Sequence, residues 1–113
     1  MKQIQAIIRS EKLDSVKDAL VSLGINGMTV TSVHGFGKQM GHTEVYRGVK
    51  IEARLLPKVM VTTVVTDTAM PGVIEAITAS AQTGDIGDGK IIVTSVLDSV
   101  RIRTGETNDA TLD

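Results

Sequence analysis

Cysteine is absent from the 113 residues, which removes disulfides and thiolate chemistry together. Aromatic side chains are nearly absent too, since Phe36 and Tyr46 are the whole supply. No platform exists for stacking successive bases of a single strand. A basic excess is also missing: 12 Lys and Arg stand against 13 Asp and Glu, for a formal net charge of −1. Nucleic-acid binders draw much of their affinity from phosphate contacts, so no nucleic-acid partner is expected. No apolar run approaches the roughly 20 residues of a membrane span. The start, Met1-Lys2-Gln3-Ile4-Gln5, lacks the continuous apolar stretch of a secretory signal. A cytoplasmic protein is expected, with cytoplasmic partners or membrane contact only through a partner.

What is present suits a folded chain. Hydrophobic residues make up 42% and charged residues 22%, well away from the composition of disorder. The length fits one domain over 1–113, with a core of Ile, Val, Leu, Ala and Met. Lys2 to Arg9 alternates polar and apolar residues and predicts a strand. From Leu13 the period changes: Leu13, Val16, Leu20 and Leu23 form a helical stripe, with Gly24 as its stop. Met28–Phe36, rich in β-branched residues, predicts a second strand, and Lys58–Val65 a third. Asp67 or Thr68 is the expected cap of a second helix, with Pro71 in its first turn and Val73, Ile77 and Ala81 inward. Lys90–Val96 is a fourth strand and Val100–Arg103 a short fifth. The order is βαββαβ, an α+β ferredoxin-like sandwich with helices on one face of a mostly antiparallel sheet. The third strand is apolar on both faces, so a homo-oligomer is expected to cover the side without helices.

Two segments exceed what this fold needs. The stretch 37–57 joins strands that a hairpin would connect in roughly two to five residues. It is expected to be mobile until a partner orders it, with Tyr46-Arg47-Gly48 at its tip as contact residues. A tolerated surface insertion is the alternative. The second segment, 82–90, contains Thr83-Gly84-Asp85-Ile86-Gly87-Asp88-Gly89-Lys90. Its glycines let backbone N–H groups converge on an anion, and Lys90 adds positive charge. The spacing follows a Walker A loop until Ile91, which stands where magnesium would need a hydroxyl. The loop also follows a helix and opens a strand, the reverse of that motif. A glycine-rich connection without a ligand is the other reading. Arg101-Ile102-Arg103, if extended, sets two guanidiniums on one face, unfavourable unless an anion sits between them or Glu106 neutralises them. His34 and His42 lack companions at metal-ligand spacing, and no nucleophile stands in a catalytic context.

On these residues the chain resembles the PII signal-transduction proteins over nearly its whole length. The motifs are Gly35-Phe36-Gly37-Lys38-Gln39, Gly41-His42-Thr43-Glu44, Tyr46-Arg47-Gly48, Leu56-Pro57-Lys58-Val59, Thr83-Gly84, Ile86-Gly87-Asp88-Gly89-Lys90 and Arg101-Ile102-Arg103-Thr104-Gly105-Glu106. The resemblance implies a homotrimer that binds ATP or ADP in clefts between neighbours, with Mg2+ and 2-oxoglutarate as further effectors. On matching positions, Gly87, Asp88, Gly89, Lys90, Arg101 and Arg103 would surround the phosphates. Thr29, Gly37, Lys38 and Val64 would line the nucleotide. Gln39 would hold magnesium beside 2-oxoglutarate, and Lys58 would pair with a carboxylate of that effector. Tyr46 and Arg47 would contact partners: an ammonium transporter, a nitrogen-metabolism enzyme or a transcription regulator. The implied function is a non-enzymatic sensor of nitrogen, carbon and energy status, with a slow ATPase or a ferredoxin-like small-molecule-binding module as rivals. Ile51 and Val49 replace the tyrosine and serine that relatives modify, so no covalent modification is expected there, as in unmodified Gram-positive relatives. Asp85 and Thr62 also depart from the residues common at those positions.

Overall fold

The computed structural model of the chain describes residues 1–36, 45–46, 49–50 and 55–112. Alternation decides the first strand, β1 (Lys2–Ile8). Ile4, Ala6 and Ile8 are buried, while Gln3, Gln5 and Ile7 are only partly covered, as a two-residue period requires. A 3-10 turn, Ser10–Lys12, leads into α1 (Leu13–Ser22). Val16 and Leu20 of the expected stripe are fully buried. Leu23 is not a core residue: it is the C-cap, 50% exposed, where the backbone turns out of the helix toward Gly24.

Then follow β2 (Thr29–Gly35), a small ladder of β3 (Val45–Tyr46) with β4 (Val49–Lys50), β5 (Leu56–Val65), α2 (Met70–Ala81) and β6 (Lys90–Ser95). β5 begins two residues before the expected Lys58 and so includes Pro57. Pro57 lies opposite His34 of β2 but beyond the end of β1, whose Ile8 is paired with Val59. There the strand has one neighbour, and a missing N–H donor is tolerated. α2 is capped neither by Asp67 nor by Thr68: its N-cap is Ala69, and the Thr66 hydroxyl accepts the Ala69 N–H at 3.1 Å. Asp67 is occupied elsewhere, pairing with the Met1 ammonium at 3.1 Å and the Lys2 ammonium at 3.6 Å. Pro71 does lie in the first turn, and Val73, Ile77 and Ala81 are buried as the spacing required.

The main sheet runs in the order β2-β5-β1-β6, every adjacent pair antiparallel. This is the α+β ferredoxin-like arrangement. Ile4, Ala6, Ile8, Val61 and Val65 meet Val16, Leu20, Val73, Ile77 and Ala81 in one core between the sheet and the helices. By the same register Gln3, Gln5, Ile7, Met60, Thr62, Val64, Lys90, Ile92 and Thr94 share the opposite face. Among the described residues no helix is long and apolar enough to cross a membrane.

Candidate phosphate-binding site

The glycine loop leaves α2 at the extended C-cap Gln82 and returns at β6. Gly87 (φ 108°) and Gly89 (φ 97°) both take positive φ, so the backbone reverses twice within three residues. At Gly89 the requirement is also spatial: a Cβ there would lie 1.7 Å from the Ile7 carbonyl oxygen. The close approach sets the start of β6 against β1, where Lys90 is opposite Ile7. Among the described residues, none accepts a hydrogen bond from the N–H of Gly87, Asp88 or Gly89. Consecutive donors without internal partners in a glycine-turned loop suit an anion.

The loop keeps this form through Asp88. One carboxylate oxygen accepts the N–H groups of Thr83 at 2.8 Å and Gly84 at 2.9 Å. The other accepts the Thr83 hydroxyl and the Arg9 Nε at 3.0 Å. Arg9 Nη2 also donates to the Ile86 carbonyl at 2.9 Å. The Thr83 hydroxyl, then the Thr83 and Gly84 amides and Arg9, hold the Asp88 carboxyl well below the usual carboxylate range. The carboxylate is thus ionised and turned into its own loop. Lys58 closes the other side, donating from Nζ to the Gly87 carbonyl at 2.6 Å. Removal from water lowers its pKa, and the Arg9 charge adds to this, while Glu11 and Asp88 act in the opposite sense.

The structure brings Lys58, Gly87, Asp88, Gly89 and Lys90 together at one end of the sheet. Beside them a groove of about 400 Å³ is lined by Ile7, Ile74, Ala81, Gly89 and Lys90, among others. Thr29 and Val64 lie toward the other end. They share a second groove, of about 360 Å³, with Thr62, Ser99, Thr111 and Leu112. β6 alone, Lys90–Ser95, extends on the order of 17 Å between these ends.

Arg101 and Arg103 are not on an extended strand. Residues 102–104 form a turn, closed by an isolated bridge between Val100 and Thr107. The Arg101 N–H donates to the Glu106 carbonyl and the Gly105 N–H to the Arg101 carbonyl, each at 2.8 Å. Gly105 has φ 75°, and this local turn satisfies backbone groups that a sheet edge would have had to pair. The Arg101 guanidinium meets the Glu106 carboxylate at 3.2 Å and the Ala110 carbonyl at 3.1 Å. Glu106 therefore neutralises Arg101, the alternative considered from sequence, and Arg103 is exposed. Arg101 is thus tied to Glu106 and Ala110, while Ser99 and Thr111, hydrogen-bonded to each other at 2.8 Å, line the second groove.

Gly37, Lys38, Gln39 and Arg47 lie outside the described residues, and Tyr46 is described only as part of β3. Most of the stretch 37–57 expected to be mobile lies outside them as well. Arg9 is the residue that sequence reasoning passed over, and Thr83, read there as part of the loop, was given no role of its own. Thr83 precedes Asp88 by five positions across two glycines, a legible turn signal; Arg9 is 79 positions away and carried none. Among the described residues, no group of three His, Cys, Asp or Glu could hold a metal ion.

The family model described as Nitrogen regulatory protein P-II matches residues 1–106. A protein of that name from Mesorhizobium japonicum is 56% identical over 107 residues, 95% of this chain and 96% of the relative. One from Klebsiella oxytoca is 54% identical over 112 residues, covering 99% and 100%. Nitrogen regulatory protein P-II 1 of Escherichia coli K12 is 53% identical over the same length and coverage.

Proposed function

Because the chain belongs to the P-II nitrogen regulatory protein family, with its role in nitrogen signalling, we propose that it senses ATP against ADP, together with 2-oxoglutarate, and adjusts its hold on regulated partners accordingly. The observation that carries this is the glycine loop. Among the described residues, none accepts from its N–H groups at Gly87, Asp88 and Gly89, and the cations Lys58 and Lys90 are alongside. A polyphosphate supplies the acceptors and negative charge that such a loop lacks. Asp88 would not repel it strongly, since its charge is already matched by Arg9 and three hydrogen bonds.

Lys90 opens β6, whereas Arg101 lies in the turn that follows the other end of that strand and is tied to Glu106. The two need not reach one triphosphate from a single chain. A homotrimer would join them: the second groove of one copy, with Thr29 and Val64, together with Arg101 and Arg103 of the turn that follows β6, would complete the glycine loop of its neighbour. In that assembly Arg101 exchanges Glu106 for a phosphate, or shares itself between them. Magnesium would screen the triphosphate from the dicarboxylate effector, with Gln39 as its protein ligand. Lys58, which donates to the Gly87 carbonyl, would exchange it for a carboxylate of 2-oxoglutarate. That exchange would link effector binding to the loop that holds the nucleotide, and the two ligands would strengthen each other. Partners would be held or released through the stretch 37–57, with Tyr46 and Arg47 as contacts: an ammonium transporter, a nitrogen-metabolism enzyme or a transcription regulator.

Calorimetric titration of the full chain tests this. ATP and ADP are expected to compete for one class of site, and 2-oxoglutarate is expected to tighten ATP binding only when magnesium is present. ATP binding indifferent to 2-oxoglutarate would remove the sensor reading.

A further inference from the structure

Resting on the nucleotide reading above, we propose that Arg9 is the positioning residue of the glycine loop: it touches no nucleotide but holds the loop amides in the form that receives phosphate. Arg9 comes from the end of β1, not from the loop, and its side chain is only 15% exposed. One guanidinium grips two points of the loop, the Ile86 carbonyl through Nη2 at 2.9 Å and the Asp88 carboxylate through Nε at 3.0 Å. Those two points bracket Gly87. The planar fork of arginine fixes their spacing, which a single ammonium does not do.

Without Arg9 three things change at once. The Ile86 carbonyl loses its donor and becomes an acceptor that the loop's own amides can turn to. Asp88 loses its counter-ion and presents an uncompensated negative charge beside the phosphate site. Gly87 and Gly89, at positive φ, give the backbone little intrinsic reason to keep its shape, so the loop relaxes. Each change weakens anion binding, and the weakening grows with the number of phosphates that reach the loop.

The test compares Arg9→Gln, Arg9→Lys and Asp88→Asn with the wild-type full chain, titrating AMP, ADP, ATP and inorganic tripolyphosphate. Circular dichroism establishes that each variant is folded. Arg9→Gln is expected to lose about tenfold in affinity for ATP and tripolyphosphate, less for ADP and least for AMP. Arg9→Lys should recover part of the loss, through charge without the fork. Hydrogen exchange at the Thr83 and Gly84 amides should speed up in Arg9→Gln and in Asp88→Asn, because the carboxylate that protects them is loosened or gone. If Arg9→Gln does not fold, Asp88→Asn carries the test: faster exchange with a smaller loss of ATP affinity is expected, since it also deletes a negative charge. Equal losses for AMP, ADP and ATP, or Arg9→Gln binding ATP as the wild type does, would overturn the role of Arg9 and leave the nucleotide reading standing. Wild-type protein that binds neither ATP nor tripolyphosphate would end both.

Discussion

At Gly89 the backbone of the glycine loop passes so close to Ile7 that hydrogen is the only substituent with room. Gly89→Ala therefore combines a clash against backbone with a positive φ and is expected to cost more than about 2 kcal/mol, read by urea denaturation. Gly84 also has positive φ but open space around its Cβ position, so Gly84→Ala should cost only the conformational part, about 1–2 kcal/mol. Equal costs for the two would show that the approach to Ile7 is not what fixes the loop. The carboxylates make a second case. Asp88 is lowered chiefly by the Thr83 hydroxyl, and Asp67 chiefly by its hydrogen bond from the terminal ammonium. A carboxylate lowered in the folded state adds stability above its unfolded pKa, and loses it as pH falls through the folded one. Both contributions are full at neutral pH and fade below the ordinary 3.8. Acid denaturation of Asp88→Asn should accordingly show a shallower fall in stability below about pH 4 than the wild type.

Among the elements, α2 was the most legible and its first turn the least. Val73, Ile77 and Ala81 follow from spacing alone, and all three are buried. Ile77→Ala is expected to cost about 2–5 kcal/mol, because the packed side chains around it fill the space only in part. The cap was misassigned because Asp67 has a stronger claim on the chain terminus, a contact between residues far apart in sequence. Gly72 sits in the first turn of α2 with nothing near its Cβ position and no positive φ. Gly72→Ala should raise stability by about 0.5–1 kcal/mol, and a fall in the thermal midpoint would contradict the open environment there. The expected fifth strand is a turn, in which Val100 bridges Thr107 and the Arg101 and Gly105 amides find acceptors within the turn itself. Periodicity reports which face a segment buries, but not whether a neighbour is present to complete the ladder.

For the whole molecule, the face of the sheet opposite the helices sets the expectation. Met60, Thr62 and Val64 of β5 are half-buried there in the single chain, beside Gln5, Ile7 and Ile92. A trimer of the 12.0 kDa chain is expected by native mass spectrometry, and a charge at Met60 or Val64 should shift it toward monomer. If the site is shared between copies, Lys90→Ala and Arg101→Ala variants each bind ATP poorly as pure proteins. Co-refolded, they should regain a fraction of strong sites, because some clefts pair an intact loop with an intact Arg101. No recovery in verified mixed trimers would place Lys90 and Arg101 in one chain's own site.

Local pattern alone determined the order of the main strands and helices, most of their inward residues, and the glycine-rich connection between α2 and β6. Those properties depend on neighbours in sequence, where side-chain period and backbone freedom are written directly. Tertiary structure decided what the loop and its cations are attached to: Arg9 on Asp88, Lys58 on the Gly87 carbonyl and Arg101 on Glu106. A carboxylate or guanidinium chooses its partner by proximity in the folded chain, and strand register brings Arg9 to a loop 79 positions away. Composition and periodicity do not encode that distance; packing the sheet does.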